Sequence, residues 1–316
     1  MAGRVWAVTI SWNSADVLAD CLDSLMAEGD AVAGVTVVDN ASTDGSAGLV
    51  RERYPTVRLI ENKDNLGFAA AANQGIRASE GDYVLLVNPD ISFKPGFVNA
   101  LVAAVERDKK NGAAAPKLMR PAGSTIDSAG LVMRKDRKSV DRGRDKPDTG
   151  AYDTPCRVFG ACGAAAMYRR EMLEDAKTGD EYFDESFFAY KEDVDLAWRA
   201  NLLGWKAVYE PMAVATHRRG WQESGRKAIP RFIRRHSHKN RYLTIIKNDD
   251  PVNFMLHLPS ILYYESKLFV YSLVFEPFLF LAIVDAARLL PEAVGKRRRI
   301  MASRRTGRPE MRKLFE

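Results

Sequence analysis

Short β-branched runs alternate with amphipathic stretches through the first hundred residues, and this alternation restricts the available folds more than any other feature of the chain. The runs VWAVTI, VTVVDN, VRLIEN and YVLLVN are separated by helical patterns over residues 17–26, 48–54 and 69–78. Strand, helix, strand at this spacing predicts βαβ units. The fold class is therefore α/β: a Rossmann-like, mostly parallel, doubly wound sheet flanked by helices. Sheets of this kind take ligands at the C-terminal ends of their strands. Polar residues fall at those ends: Ser11 and Asn13 after the first run, Asp39 and Asn40 after the second, Asn62 after the third, Asn88 and Asp90 after the fourth.

At 316 residues, 46% hydrophobic and 28% charged, the chain can bury a sizeable core and is neither a disordered tail nor a disulfide miniprotein. Its three cysteines include no CxxC pair, which argues against a disulfide framework or a structural zinc site. The segment MAGRVWAVTISWNS lacks the length and cleavage site of a secretory signal, so a cytoplasmic location is expected. Charge is unevenly distributed. Residues 1–216 carry 26 Lys+Arg and 32 Asp+Glu, whereas the last hundred carry 21 and 9. Segregation of this kind suits a C-terminal part that faces something anionic, either phospholipid headgroups or nucleic acid.

Residues 134–153 are rich in charge, Gly and Pro and read as a mobile surface loop. KEDVDLAWRANLLG has helical spacing and ends at Gly204; the strand KAVYEP and a turn leading to His217 follow. Residues 251–290 are apolar and aromatic, but Glu265, Lys267, Glu276 and Asp285 interrupt them before the roughly 18 to 20 uncharged residues that span a bilayer. Such helices, followed by the basic run GKRRRIMASRRTGR, match an in-plane membrane anchor. The other reading is a helical subdomain packed on the core or on a second subunit, as in a homodimer.

Several residues have the chemistry of a site. Asp39 ends a buried strand, where it contacts a ligand or caps the next turn; a carboxylate there can accept the imide N–H of uracil or thymine. In Asn88-Pro89-Asp90 the proline ends the ladder and turns Asp90 into the crevice, where one carboxylate beside a diphosphate suffices for a divalent cation. Glu192 and Asp193 open a helix. That position favours acidic residues electrostatically, and it also suits a general base above a sugar site. Asp195, two positions on, points elsewhere and suits a structural or solvent role. His217 is either a core residue or a return to the cation near Asp90, and such a mixed shell tolerates Mn2+ as well as Mg2+.

Four blocks, TISWNSADVLADCLDSL, VVDNASTDGS with NLGFAAAANQGI, LLVNPDISFKPG and FFAYKEDVDLAWRANLLGWKAVYEPMAVATH, together resemble glycosyltransferase family 2, the inverting enzymes of GT-A fold. The resemblance covers residues 5–217. Within the family, NPD, NLGFAAAANQGI and EDVDLAWR are similar to bacterial rhamnosyltransferases of cell-wall and O-antigen assembly. It implies a catalytic domain over 1–217, with a nucleotide-sugar half (1–100) and an acceptor half (101–217), and a basic, amphipathic helical membrane-associating extension over 218–316. Carried over residue by residue, it makes Asp193 the catalytic base. Asp39, Ser11, Asn13, Asn40, Gly67, Asn73 and Asn88 would form the nucleotide and donor pocket, Asp90 and His217 would be metal ligands, and Glu192, Arg199 and Gly163 would be acceptor-side or supporting residues. It further implies Mg2+ or Mn2+ as cofactor and a nucleotide-sugar donor, dTDP-L-rhamnose or a UDP-sugar. The acceptor would be a polyprenyl-diphosphate-linked saccharide, reached from the inner face of the cell membrane. The family's metal motif usually begins with Asp; here Asn88 stands there, so Asp90 carries more of the cation's charge. The run RRGWQESGRKAIPRFIRRHSHKNR suits either the membrane surface or a solvated basic helix.

Two other classes compete. A basic nucleic-acid-binding protein on a nucleotide-binding fold leaves Asp90, Glu192 and Asp193 without a task, and no RNA or DNA motif is visible, so nucleic acid is not expected as a partner. A nucleotidyltransferase would carry a Gly-rich basic triphosphate loop, which VWAVTISWNSADV lacks.

Overall fold

The computed structural model describes residues 3–219 and 229–316. The elements run β1 (Val5–Ser11), α1 (Ala15–Met26), β2 (Gly34–Asp39), α2 (Ser46–Arg53), β3 (Arg58–Glu61), α3 (Phe68–Arg77), β4 (Tyr83–Val87), β5 (Ile91–Phe93), α4 (Phe97–Glu106) and β6 (Asn111–Met119). The middle of the chain supplies β7 (Ile126–Ser128), β8 (Leu131–Met133), β9 (Ser139–Asp141), β10 (Cys156–Val158), β11 (Ala165–Arg169), α5 (Arg170–Ala176), α6 (Glu192–Leu202) and β12 (Lys206–His217). Helices close it: α7 (Arg231–Asn248), α8 (Pro251–Leu256), α9 (Leu258–Phe275), α10 (Phe280–Arg288), α11 (Leu290–Ser303) and α12 (Arg308–Arg312).

The ten-stranded sheet has the order β10-β12-β6-β11-β4-β1-β2-β3, with β5 on β12 and β7 on β6. The four strands expected from the first hundred residues form one parallel block, β3-β2-β1-β4. Beyond it the sheet is mixed, because β11 enters antiparallel between β4 and β6. Both faces of the block are covered: Leu18 and Leu22 of α1 with Phe97 of α4 on one side, Ala72 and Ile76 of α3 on the other. This double burial explains why β1 and β4 read as continuous apolar runs rather than alternating ones. Helix α3 sits close to the sheet because Gly75 has no side chain; a Cβ there would lie 2.3 Å from Val8 Cγ1.

Three expectations change. Residues 134–153 are not simply a surface loop: β9 pairs with β8, and Asp136 and Arg137 are buried. No turn precedes His217. Strand β12 continues through it, and a register shift between Glu210 and Val214 absorbs the irregular MAV sequence. The basic C-terminal region is also much less free than its composition implies. Lys247 and Lys296 both reach Asp184, which they hold well below the usual carboxylate range although burial opposes them. Arg304 and Arg308 pair with Asp250, Arg305 with Asp175, and Arg137 with Asp249. Lys247, Lys296 and Arg305 thus meet carboxylates of the first 216 residues. Helix α7 is not a solvated basic helix either, since Lys239, Asn240, Arg241, Lys247 and Asn248 are buried. Residues 220–228 of the run RRGWQESGRKAIPRFIRRHSHKNR lie outside the described residues.

Helices α8 to α10 expose an apolar surface in which Met255, Leu262, Tyr263, Phe269, Leu273 and Phe275 are each more than half exposed. Among the described residues no helix is long and apolar enough to cross a membrane.

Candidate active site

Sheet register brings the first two site residues together. The end of β12 pairs with β5 so that His217 lies opposite Ile91, one residue after Asp90. His217 Nε2 consequently faces Asp90 Oδ1 at 3.4 Å, and that buried oxygen accepts no hydrogen bond. The other ring nitrogen, Nδ1, is 2.7 Å from Oδ2 of Asp127, a fully buried carboxylate on β7. Arg219 Nε donates to Oδ2 of Asp127 at 2.8 Å, lies 2.7 Å from its Oδ1 as an ion pair, and Arg219 lies 3.4 Å from Asp141. Burial works against protonation of His217, but the Asp127 hydrogen bond and the charge of Asp90 outweigh it and raise its pKa. A carboxylate that fixes the tautomer of a histidine and leaves the far nitrogen aimed at a second carboxylate is the support structure of many metal-binding histidines. No group of three or more His, Cys, Asp or Glu side chains forms a ready cation cage among the described residues. Asp90 and His217 are the residues placed to hold a cation here, whose other positions would fall to phosphate or water oxygens.

Asp193 lies in the first turn of α6 and is linked to this region through the backbone. Its Oδ2 accepts the Gly163 N–H at 2.9 Å and its Oδ1 accepts the Val194 N–H at 2.8 Å. The next residue, Ala164, accepts the Asn88 N–H at 2.8 Å, so Asp193 and the Asn88-Pro89-Asp90 turn flank one short strip of backbone. Burial raises the pKa of Asp193, while the Gly163 N–H and the Lys191 charge oppose the rise. Burial and the neighbouring Asp193 charge push Glu192 up to about 8, and Glu192 Oε2 is buried without a partner. Burial thus raises both carboxyls, and they titrate as a coupled pair.

The turn that aims Asp193 is held in an uncommon conformation. Phe188, Tyr190 and Lys191 all have positive φ, at 66°, 71° and 74°. Such strain persists only where the surroundings over-determine it. Here the amide of Asn240, buried on α7, lies within 3.0 Å of the carbonyls of Phe187, Ala189 and Tyr190. On the other side Asn73 of α3 bonds the N–H and C=O of Phe183 and reaches Glu185. Gly67 closes against this turn, since a Cβ would lie 2.6 Å from the Phe188 carbonyl, and its φ of +83° favours glycine.

A second group of candidate residues stands at the tips of β1 and β2. Asp39 accepts the Ser42 N–H through Oδ2, and its buried Oδ1 has no partner. Asn13 caps Thr43 through its side chain, and the exposed Trp12 stands beside it. Ser11, Asn40 and Asn73 do not present free polar groups there. Ser11 is buried against Ser14, and Asn40 is occupied by Asn62, Asn65, Leu66 and Gly67, so both hold the local backbone as Asn73 holds the turn. Asn88 is half-buried. Arg199 does not reach the crevice; it pairs with Asp195 and donates to the carbonyls of Ala176 and Tyr182. Asp195, also bonded to Asn248 and Lys247, is structural. Asp127, Asp141, Arg219 and Asn240 are absent from the sequence-based site. Their only signal is a carboxylate in the apolar stretch around Asp127 and an asparagine among the basic residues of α7.

This site has matching relatives. Residues 6–176 match the profile of glycosyl transferase family 2. The chain belongs to that family, and the enzyme is a glycosyltransferase. It is 31% identical, over 75% of its own length and 82% of the relative's, to an N-acetylglucosaminyl-diphospho-decaprenol L-rhamnosyltransferase of Mycobacterium tuberculosis. Among solved structures it is similar to a mannosyltransferase from Pyrobaculum calidifontis in complex with GDP-Man and Mn2+ (TM-score 0.55, 19% identity, 96% of this chain and 86% of that one). TarS of Staphylococcus aureus is similar as well (TM-score 0.59, 16% identity, 99% and 89%). These likenesses define the fold as GT-A.

Proposed function

We propose that the enzyme transfers L-rhamnose from dTDP-L-rhamnose, with inversion, to a hydroxyl of an N-acetylglucosaminyl-diphospho-polyprenol in cell-envelope polysaccharide synthesis. The observation that carries the mechanism is the strip Gly163–Ala164, which ties Asp193 to the Asn88-Pro89-Asp90 turn. The Mycobacterium relative supports the acceptor class and the sugar. The unpartnered Oδ1 of Asp39 is suited to accept the imide N–H of thymine or uracil, so a UDP-sugar is the alternative donor.

The donor set fits a divalent cation: a buried carboxylate oxygen without a hydrogen bond, an imidazole nitrogen beside it, and a carboxylate behind that imidazole. Asp90 and His217 would hold Mg2+ or Mn2+ against the donor's diphosphate. When bound, such a cation supplies Lewis-acid charge to the leaving group. Asp193 takes the proton of the acceptor hydroxyl. The Gly163 N–H holds the base in place. The attack enters opposite the leaving diphosphate in a single displacement, which inverts the anomeric centre. The apolar face of α8 to α10 would lie in the interface of the inner leaflet, a peripheral membrane location.

The test is a donor screen with the lipid-linked acceptor and added Mg2+ or Mn2+, following nucleoside diphosphate release and the new glycosidic bond. Turnover with dTDP-L-rhamnose, and little with UDP- or GDP-sugars, is expected. Efficient transfer from a UDP-sugar alone replaces the donor assignment, and absence of transfer from any pyrimidine nucleotide sugar overturns it. Flotation with anionic vesicles tests the membrane reading, which fails if the protein stays with the soluble fraction.

A further inference from the structure

A second cavity adjoins the site from the side of the helical extension. It encloses about 330 Å³ between the β8–β9 hairpin, the Tyr190–Lys191 turn, α7 and α9, a volume at the lower end of ordinary ligand sites. Lys191 and Val194, which flank the Glu192–Asp193 pair in sequence, form part of its wall. The lining includes six Lys or Arg side chains and no carboxylate. Most of the arginines are committed elsewhere: Arg241 to Glu265, Arg137 to Asp249, and Arg234 to Glu276. Lys138 and Lys191 are not. The Lys191 ammonium donates to Ser139 Oγ, Lys138 rests over the Tyr264 ring at 5.9 Å, and neither has a carboxylate within 4.0 Å among the described residues. Burial disfavours the Lys191 ammonium and lowers its pKa, against the charges of Asp193, Asp141 and Glu192, none of them within 4.0 Å of it. An anion in the cavity would offset that cost.

The cavity is amphiphilic as well as cationic. Tyr264 and Leu268, one turn apart on α9, line it, while Tyr263, Phe269, Val270 and Leu273 of the same helix are exposed. A ligand with its anionic group at Lys138 and Lys191 can thus carry an apolar chain past α9 onto the exposed apolar face.

We propose that this cavity is the acceptor port, in which Lys138 and Lys191 bind the diphosphate of a prenyl-diphosphate-linked sugar while α9 guides its hydrocarbon chain toward the membrane. The inference rests on the acceptor class proposed above. It adds a location and two residues that are not part of the donor site.

The test uses geranyl diphosphate as a short soluble probe in calorimetry on the full chain. Saturable binding is expected, without competition from dTDP. Lys138→Glu, at an exposed position, and Lys191→Met should each weaken it roughly tenfold or more, with dTDP binding and flotation on phosphatidylglycerol vesicles unchanged. Undiminished binding in both variants overturns the assignment, as does equal binding of geraniol or displacement of the probe by dTDP. Loss of flotation with the probe still bound would mean that the lysines serve headgroups, which also overturns it. Wild-type protein that binds the probe but transfers no sugar to a prenyl-diphosphate-linked acceptor retains the cavity and sinks the functional reading. Transfer with an unaltered acceptor KM in both variants sinks the cavity alone.

Discussion

The buried Asp127 carboxylate meets Nδ1 of His217 at 2.7 Å and leaves Nε2 facing Asp90 at 3.4 Å. Three residues, from β7, β12 and the turn between β4 and β5, thereby form one chain of contacts, with a single imidazole held between two acids. Asp127→Asn should keep the fold and reduce Mn2+ affinity, measured by titration in the presence of dTDP, about 10- to 100-fold. An unchanged affinity would show that Asp127 only fills space beneath the histidine.

Asp193→Asn retains the shape of the side chain and removes its basicity. Turnover should fall by about 10²- to 10⁴-fold, the usual contribution of a general base, while dTDP still binds. Wild-type turnover in this variant would transfer the role of base to another group.

Glu192 gives stability a pH dependence. Its pKa rises from the ordinary 4.5 to about 8 on folding, so its stabilising contribution is complete below the unfolded value and lost as pH climbs through about 8. Glu192→Gln should therefore raise the melting temperature relative to wild type at pH 8 to 9 and have less effect at pH 4 to 5. Melting curves of the two proteins that run parallel across this range would contradict the assignment.

Asn240→Ala removes the amide that faces three carbonyls of the turn before Asp193. A loss of about 1–3 kcal/mol in chemical denaturation is expected from the buried acceptors left unpaired. A lowered kcat with unaltered dTDP affinity should accompany it. If dTDP binding falls in step with kcat, the amide supports the whole domain rather than this turn.

The parallel block β3-β2-β1-β4 was legible in the sequence because β1, β2 and β4 are almost entirely buried and read as apolar runs separated by helical patterns. The central strand β11 was not, because its small-residue segment AAMYR has no alternation to read. Asp39, Asp90, Glu192 and Asp193 could be found because each stands at the boundary of a regular element. Asp127 and Asn240 were hidden. Their meaning comes from partners 90 and about 50 residues away, His217 and the turn over residues 187–190, and no local pattern announces such pairings. The basic tail misled for a related reason: composition records an excess of charge but not that Asp184, Asp250 and Asp175 wait for it.

The reach of Asn240 makes α7 a support for the turn before Asp193. Grafting the N-terminal portion onto another enzyme's tail should yield a chimaera that still recognises its nucleotide but no longer aims its base. A swap of acceptor preference within this family would then have to exchange α7 and the turn as one cassette.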